Sequence, residues 1–453
     1  MRFELTRDYL EKLRQGIEAN DVKIVKELTN DLHPADIAEI LDEISIDEAR
    51  FVYLHIDKEF GSDVLVEMEE DVRERFLALL SGEEIASVFI DNMDSDDAAD
   101  IISELSEERQ EEVLSHISDI QQAGDIVDLL NYDEDTAGGL MATELISVKE
   151  NWTVTRCLDE IRIQAEEVDE IFFVYVVDEK ETLIGTLPLK KLLLANGNTL
   201  IKDIFDGNVI SVKTDMDSED VANVMEKYDL VAVPVVDGIG RLKGRITIDD
   251  VVDVIKEEAE KDYQMISGIS GDVEHSDSIF QLTKARIPWL MIGMSGGVLA
   301  ALVIGGFETE LALYPQLAFF ITLITATGGN AGIQSSSIIV QGLASKTIGL
   351  ESTTRKLIKE LSIALINGII LSTLLFAYNV LVEHPMALSI SVSLALITVI
   401  VVASLFGTFV PLALNRIKID PAVATGPFIT TTNDVIGLFI YFWIGKYFFT
   451  VFS

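Results

Sequence analysis

Phe172-Phe173-Val174-Tyr175-Val176-Val177-Asp178 is an unbroken apolar run that stops at an aspartate, the pattern of a strand covered on both faces and closed by a turn. Leu230-Val231-Ala232-Val233-Pro234-Val235-Val236-Asp237 repeats it about 60 residues later. The flanks repeat too. Ile146-Ser147-Val148-Lys149 matches Ile210-Ser211-Val212-Lys213, and Leu183-Ile184-Gly185-Thr186-Leu187 matches Leu242-Lys243-Gly244-Arg245-Ile246. The spacing predicts two copies of a β–α–β–β–α unit within residues 136–255.

Before this pair, residues 1–135 read as helix. His33-Pro34-Ala35-Asp36-Ile37-Ala38-Glu39-Ile40-Leu41 resembles Ser95-Asp96-Asp97-Ala98-Ala99-Asp100-Ile101-Ile102, with a weaker copy at Glu84-Ile85-Ala86-Ser87-Val88-Phe89. Each copy has a polar helix start followed by apolar residues at helical spacing, which predicts stacked helical hairpins, an α-superhelix. After the pair comes Asp249-Asp250-Val251-Val252-Asp253-Val254-Ile255-Lys256-Glu257-Glu258-Ala259-Glu260-Lys261-Asp262. As a helix it carries Asp250, Asp253 and Glu257 on one stripe. Such a run is commonly only a solvated face. Here the rest of the front is acidic as well, and packed acidic surfaces repel unless divalent cations lie between them.

Charge divides the chain in two. The whole carries −42 and is 49% hydrophobic, yet residues 279–453 hold only 9 Lys and Arg against 7 Asp and Glu. The surplus of acid therefore lies in front of Ile279. That balance argues against a nucleic-acid partner, since phosphate binding wants a basic face. The single cysteine, Cys157, excludes a disulfide framework or a cysteine zinc site and reads as a core residue. Met1–Lys12 is charged throughout, so no signal peptide is expected there and the front is expected to be cytoplasmic.

The back half contains five apolar runs, Pro288–Phe307, Leu317–Leu343, Leu357–Val382, Met386–Leu414 and Pro421–Phe452, each long enough to span a bilayer. Lys284, Arg286, Lys346, Arg355, Lys356, Lys359, Arg416 and Lys418 fall on alternate loops, and Glu308, Glu310, Glu383 and His384 on the others. This predicts an inside N-terminus and an outside C-terminus, with Lys446 snorkelling to the headgroups. Ionisable groups inside spans are costly; Asp434 lies deep in one and Glu360 near the start of another. In Gly426-Pro427-Phe428-Ile429-Thr430-Thr431-Thr432-Asn433-Asp434, the proline is expected to free backbone carbonyls, and Thr430 and Thr431 share the face of Asp434. Those oxygens suit a hard cation; the alternative is a helix–helix hydrogen bond. Thr325-Ala326-Thr327-Gly328-Gly329-Asn330-Ala331-Gly332 is expected to break the second span, with close packing as the alternative, and Gln334 and Ser335–Ser337 extend its polar stripe.

The duplicated unit resembles a tandem pair of CBS modules. In such modules a Thr and an Asp three apart often hold a nucleotide ribose. Thr247 and Asp250 match, whereas the first copy has Pro188 and Lys191. The whole order of elements resembles the MgtE family of magnesium transporters, most tellingly at Gly328-Gly329-Asn330, Thr431-Thr432-Asn433-Asp434 and Asp250–Asp262. The resemblance implies an acidic helical domain (1–135), a tandem CBS domain (136–255), a connecting helix and linker (256–283) and an all-α membrane domain of five spans (284–453). It implies a homodimer in the lipid bilayer with one Mg2+ pore, selective at Asp434 and bounded by Thr430, Thr431, Asn433, Gly328, Gly329 and Asn330. It also implies regulatory Mg2+ at Asp250, Asp253, Glu258 and Asp262, at Asp217, Glu219 and Asp229, and at Asp94, Asp97 and Asp100. Lys261 stands among these acids and leaves the number of ions open. ATP is a candidate modulator. A carrier of Co2+ or Mn2+, or an adenine-nucleotide sensor without transport, are the alternatives. With 5 His in all, no catalytic triad or His-centred metal cluster is expected.

Overall fold

The computed structural model describes residues 3–56, 60–165, 168, 171–271, 273, 278–344, 352–424 and 426–452. It resolves into two compact units, Met1–Glu257 and Glu258–Ser453.

The first unit opens with a series of short helices, from Arg7–Glu18 to Ile120–Leu129. Helices this short are marginal alone, so caps and stacking must hold them. Ser45 with Glu48 and Ser81 with Glu84 close capping boxes, and Pro34 starts the helix Pro34–Asp42. The expected repeat is present: Pro34–Asp42, Gly82–Val88 and Ser95–Ser103 are all helices that bury their apolar face. Arg73 donates to the carbonyls of Leu65, Val66 and Met68 and pairs with Glu104, which satisfies the end of the helix Gly61–Val66.

The duplication forms two sheets of like topology. β1 (Ile146–Lys149) runs parallel to β2 (Val174–Val177), which pairs antiparallel with β3 (Leu183–Leu187). β4 (Val212–Lys213), β5 (Ala232–Val236) and β6 (Leu242–Thr247) do the same. The parallel pairs need a crossover, supplied by the helices Val154–Gln164 and Ser218–Tyr228. β2 and β5 are buried along their whole length, as their apolar runs require. The β2–β3 and β5–β6 turns meet, Leu183 N donating to Gly240 O and Leu242 N to Glu181 O.

Hydrophobic packing divides this unit differently from the sequence repeat. One continuous core runs from Leu13 through Phe76, Phe89 and Ile102 into Val212, Val221, Val233, Ile246 and Val251 of the second module. The first module has its own core around Val148, Cys157, Val174 and Leu187.

A helix begins directly after β6 and runs Ile248–Ile266, across the boundary between the units. Among the described residues of the second unit, five helices are long and apolar enough to span a membrane: Ile279–Gly306, Pro315–Ala344, Thr353–Leu381, Met386–Arg416 and Gly426–Val451. The fourth is the most enclosed, 56% of its apolar window being buried, and it packs against the second, third and fifth.

Two expectations are corrected here. The second span is one unbroken helix through Gly328-Gly329-Asn330, from Ile321 to Ala344. Its glycines let neighbours approach: a Cβ on Gly328 would crowd Val399, and one on Gly407 would overlap the Gly332 carbonyl. Pro427 frees no carbonyl, because the helix Gly426–Phe452 begins one residue before it, where its missing N–H costs nothing. Lys446, near the end of the fifth span, pairs with Glu310 at 2.5 Å, on the short helix Glu308–Leu313. Lys346, assigned to a basic loop, lies outside the described residues.

Candidate metal sites

In the first unit, docking of the helical stack on the second module brings acids together. Asp94 immediately precedes the helix Ser95–Ser103 but makes no side-chain cap. Glu144, from the segment before β1, does that instead: Ser95 N and Oγ donate to its Oε2 at 3.3 and 2.9 Å. Ser95 is fully buried, so this carboxylate is held in place. Among the described residues, Asp94, Asp96 and Glu144 are the set of three potential ligands whose oxygens lie within 4.8 Å of one another. Arg245 of β6 approaches Asp94 at 3.9 Å.

Asp97 and Asp100 follow along the same helix, and Asp250 faces them from the start of the helix Ile248–Ile266. Asp250 accepts from Thr247 N and Oγ1 at 2.9 and 2.8 Å. Burial, then the charges of Asp250, Asp94, Asp100 and Asp249, push Asp97 up to about 7. Burial, followed by Asp97, Asp250 and Asp94, holds Asp96 well above the carboxylate range. Surrounding protein, and next Glu134, raise Asp100 to about 7, although its solvent exposure screens the effect. Burial raises Asp250 despite its two bonds from Thr247. Carboxyls raised in this way favour the protonated form, positive charge from a divalent cation would offset the same repulsion, and an all-oxygen donor set suits Mg2+ or Ca2+.

The other expected acids stand apart from that set. Asp217 caps the helix Ser218–Tyr228 through Glu219 N at 3.1 Å, and Asp229 is its left-handed C-cap at φ 51°. Asp253, Glu258 and Asp262 lie further along Ile248–Ile266, where Lys261 takes Glu258 at 3.1 Å. The sequence reading missed Asp96 and Glu144. Asp96 stood in the quoted acidic run; Glu144 carried no signal, being a loop residue far along the chain from its partners.

Within the second unit, Asp434 lies eight residues into its helix, about 12 Å from the start at 1.5 Å per residue. A cleft of about 440 Å³ meets it there, lined by Thr430, Thr431 and Asp434 of the fifth span, Gly293, Gly296, Gly297 and Ala300 of the first, and Ile333 of the second. Ile266 and Ser267 close one end beside Gly426 and Pro427. Asp434 Oδ1 is enclosed and has no hydrogen-bond partner among the described residues. Thr430 Oγ1 donates to Gly426 O at 3.0 Å and Thr431 Oγ1 to Pro427 O, so both hydroxyl protons are committed to their own helix. Gly329 faces this group: a Cβ there would lie 3.2 Å from Thr430 Cγ2 and 3.6 Å from Asp434 Oδ1. Asn433 turns away, buried against Gly332. Gly328 packs on Val399, and Asn330 is exposed.

A small pocket between the two modules is lined by Phe172, Tyr175 and Arg245. Arg245 lies over Phe172 at 5.9 Å, and the buried Tyr175 hydroxyl has no partner among the described residues. Thr247 follows Arg245 by two residues and is itself bonded to Asp249 and Asp250.

A multi-pass bundle with an acid at the wall of a cleft, following a CBS pair and an acidic helical stack in the chain, has the build of a membrane-embedded divalent cation transporter. Family models agree: that of the MgtE divalent cation transporter domain matches residues 321–444, the MgtE intracellular N domain matches 32–135, and CBS domains match 137–197 and 201–257. The chain is 32% identical to magnesium transporter MgtE of Thermus thermophilus over 96% of its length and 97% of that protein, and 37% identical to magnesium transporter MgtE of Enterococcus faecalis over 72% of each. The crystal structure of the cytosolic domain of the Mg2+ channel MgtE in complex with ATP aligns at TM-score 0.50 and 31% identity, covering 54% of this chain and 99% of that one. The chain belongs to the MgtE family of magnesium transporters. These relatives are transporters, and no catalytic family is indicated.

Proposed function

We propose that this protein is a Mg2+-selective, channel-like transporter that mediates Mg2+ influx and is closed by Mg2+ on its acidic front. The observation that carries the reading is the enclosed, unpartnered oxygen of Asp434 at the wall of a membrane cleft. Ions move down their gradient and the membrane potential past this carboxylate, keeping water between metal and protein, because Mg2+ dehydrates reluctantly. Outer-shell binding lets the ion leave again. Alternating basic and acidic loops favour an inside N-terminus. Gly293 and Gly297 leave the cleft open on one side, and a second copy in a homodimer brings a second Asp434 to the same path.

Regulation rests on Asp94, Asp96, Glu144, Asp97 and Asp250. Bound Mg2+ supplies the positive charge that these acids lack. With the repulsion relieved, the acidic helix holds Asp250 and with it the first turn of Ile248–Ile266, whose last residue borders the cleft. Without it the acids push apart and the helix loses that anchor. ATP is a modulator in this reading: Phe172, Tyr175 and Arg245 offer a stacking face and polar groups near Thr247, and a relative's cytosolic domain has been solved with ATP.

Proteoliposomes with an internal Mg2+ indicator test the transport claim. Asp434→Asn should abolish flux while leaving the detergent melting temperature within a few degrees, and Asp434→Ala should fail to rescue growth of a transport-deficient host. Full flux in either variant overturns the assignment. Co2+ or Mn2+ carried better than Mg2+ under competition would favour a carrier of those ions.

A further inference from the structure

The turn between the fourth and fifth spans has three features that water does not favour. The fourth span ends at Arg416, and Arg416-Ile417-Lys418-Ile419 leads on to Pro421. Ile419 N donates to Leu414 O at 3.1 Å and Lys418 N to Asn415 O at 3.2 Å, the pair of bonds that closes a helix around a left-handed residue. That residue is Lys418, at φ 59°. Glycine is the usual occupant of this position, because a side chain is strained there. Ile417 and Ile419 are 64% and 46% exposed, although the second stands where a residue commonly packs back on its helix. Arg416 and Lys418 are exposed as well. Neither has an ion pair among the described residues, whereas Lys446 at the other end of the fifth span is held by Glu310. The nearby acid Asp420 is engaged by the backbone, accepting from Ala422 N at 2.8 Å.

We propose that residues 416–419 form a docking turn for anionic phospholipid headgroups. The inference needs only that the five helices span a bilayer and does not depend on which ion is carried. At the bilayer boundary apolar side chains enter the edge of the acyl layer while bases beside them meet phosphates. Here the two kinds alternate along the chain, so one short turn offers both. Charge complementarity selects the lipid. Lys284 and Arg286 near the start of the first span and Lys359 near the start of the third also have no ion pair among the described residues. Odd spans begin and even spans end on the same side of a membrane, so these bases add to the potential at the turn. A positive potential attracts a headgroup of net negative charge and gives a zwitterionic one little. Free phosphate shares the charge but has no acyl chain to cover Ile417 and Ile419. The turn leads into the fifth span at Gly426, so bound headgroups would hold the near end of the helix that carries Asp434.

Full-length protein in a neutral detergent, doped with dioleoyl phosphatidylglycerol or dioleoyl phosphatidylcholine, tests this by melting temperature and by the lipid retained in native mass spectrometry. The phosphatidylglycerol should raise the melting temperature and stay bound, and the phosphatidylcholine at equal mole fraction should do neither. A base near an anionic surface is worth about fivefold in binding, so Arg416→Gln with Lys418→Gln should raise the half-maximal phosphatidylglycerol concentration roughly tenfold or more. Ile417→Ser with Ile419→Ser should raise it too. Lys202→Gln with Lys213→Gln removes the same charge from exposed positions of the first unit and should leave it unchanged. Lys418→Gly separates lipid binding from folding: it relieves the strained position, so the melting temperature without lipid should rise while the lipid response falls. Equal phosphatidylglycerol responses in the wild type and the turn variants overturn the proposal and leave the acidic front or a second copy as the cover of the turn. An equal shift from inorganic phosphate overturns it as well, since an anion site of that kind needs no acyl chain.

Discussion

Asp97 shows how much of the proposed regulatory chemistry would rest on single side chains. Its carboxyl is pushed up to about 7 by burial and by Asp250, Asp94, Asp100 and Asp249, with Asp96 raised beside it. The sign of the linkage follows: a carboxyl whose folded pKa lies above its unfolded value stabilises the fold below about pH 4, and that contribution is lost as pH rises through the folded value. Arg245, near Asp94, offsets only part of the repulsion. Stripped of divalent ions, the full-length protein should melt at lower temperature at pH 8 than at pH 5.5, and saturating Mg2+ should flatten that slope; a slope that Mg2+ leaves unchanged would contradict metal binding here. Glu144→Ala removes the acceptor of Ser95 N and Oγ. Loss of such a helix-start partner costs about 1 kcal/mol, and the Mg2+ concentration needed for the stabilisation should rise several-fold. Asp97 and Asp250 were legible as acids at helical spacing. That they face one another was not, because it depends on how the helical stack docks on the second module, which no local pattern encodes.

At the scale of elements, the Gly328-Gly329-Asn330 stretch is instructive. Read alone, consecutive glycines in an apolar run break a helix. In the fold the neighbouring spans decide otherwise, since Val399, Gly407, Thr430 and Asn433 fill the space that side chains would have taken. Gly407→Val should therefore be severe. Its side chain would be driven into the Gly332 carbonyl, and overpacking of this kind costs about 1–3 kcal/mol. The loss should appear as a lower melting temperature in detergent, whereas Gly306→Val should change little. The duplicated strands were far more legible, because a fully covered strand must be apolar at every position and its period does not depend on a partner's identity. Pro427 was misread for a related reason: whether a proline breaks or begins a helix depends on the boundary, here one residue away.

Over the whole molecule the separation of charge is the dominant physical fact. An acidic front on a chain of net charge −42 responds to monovalent salt through screening and to divalent ions through direct binding, and these can be separated. Proteolysis of the full-length protein across a Mg2+ titration should show protection around Asp250–Asp262 at millimolar Mg2+, and none with Na+ at matched ionic strength. Equal protection by both would reduce the acids to a solvated surface and leave ATP as the regulator to test.

The core shared by the helical stack and the second CBS module has a bearing on which parts of the chain can be exchanged. The family models change from one domain to the next between residues 135 and 137, yet the packed interior passes through that border without a gap, while the first module keeps an interior of its own. A chimera that replaced residues 1–135 with the matching segment of a distant relative would have to fit a foreign surface against Val212, Val221 and Val251. An exchange of the first module would have to match only the paired turns and the contacts at Arg245, not a shared hydrophobic interior. A swap of the first module should therefore be tolerated better than a swap of the stack, a difference that the melting temperatures of the two chimeras would show.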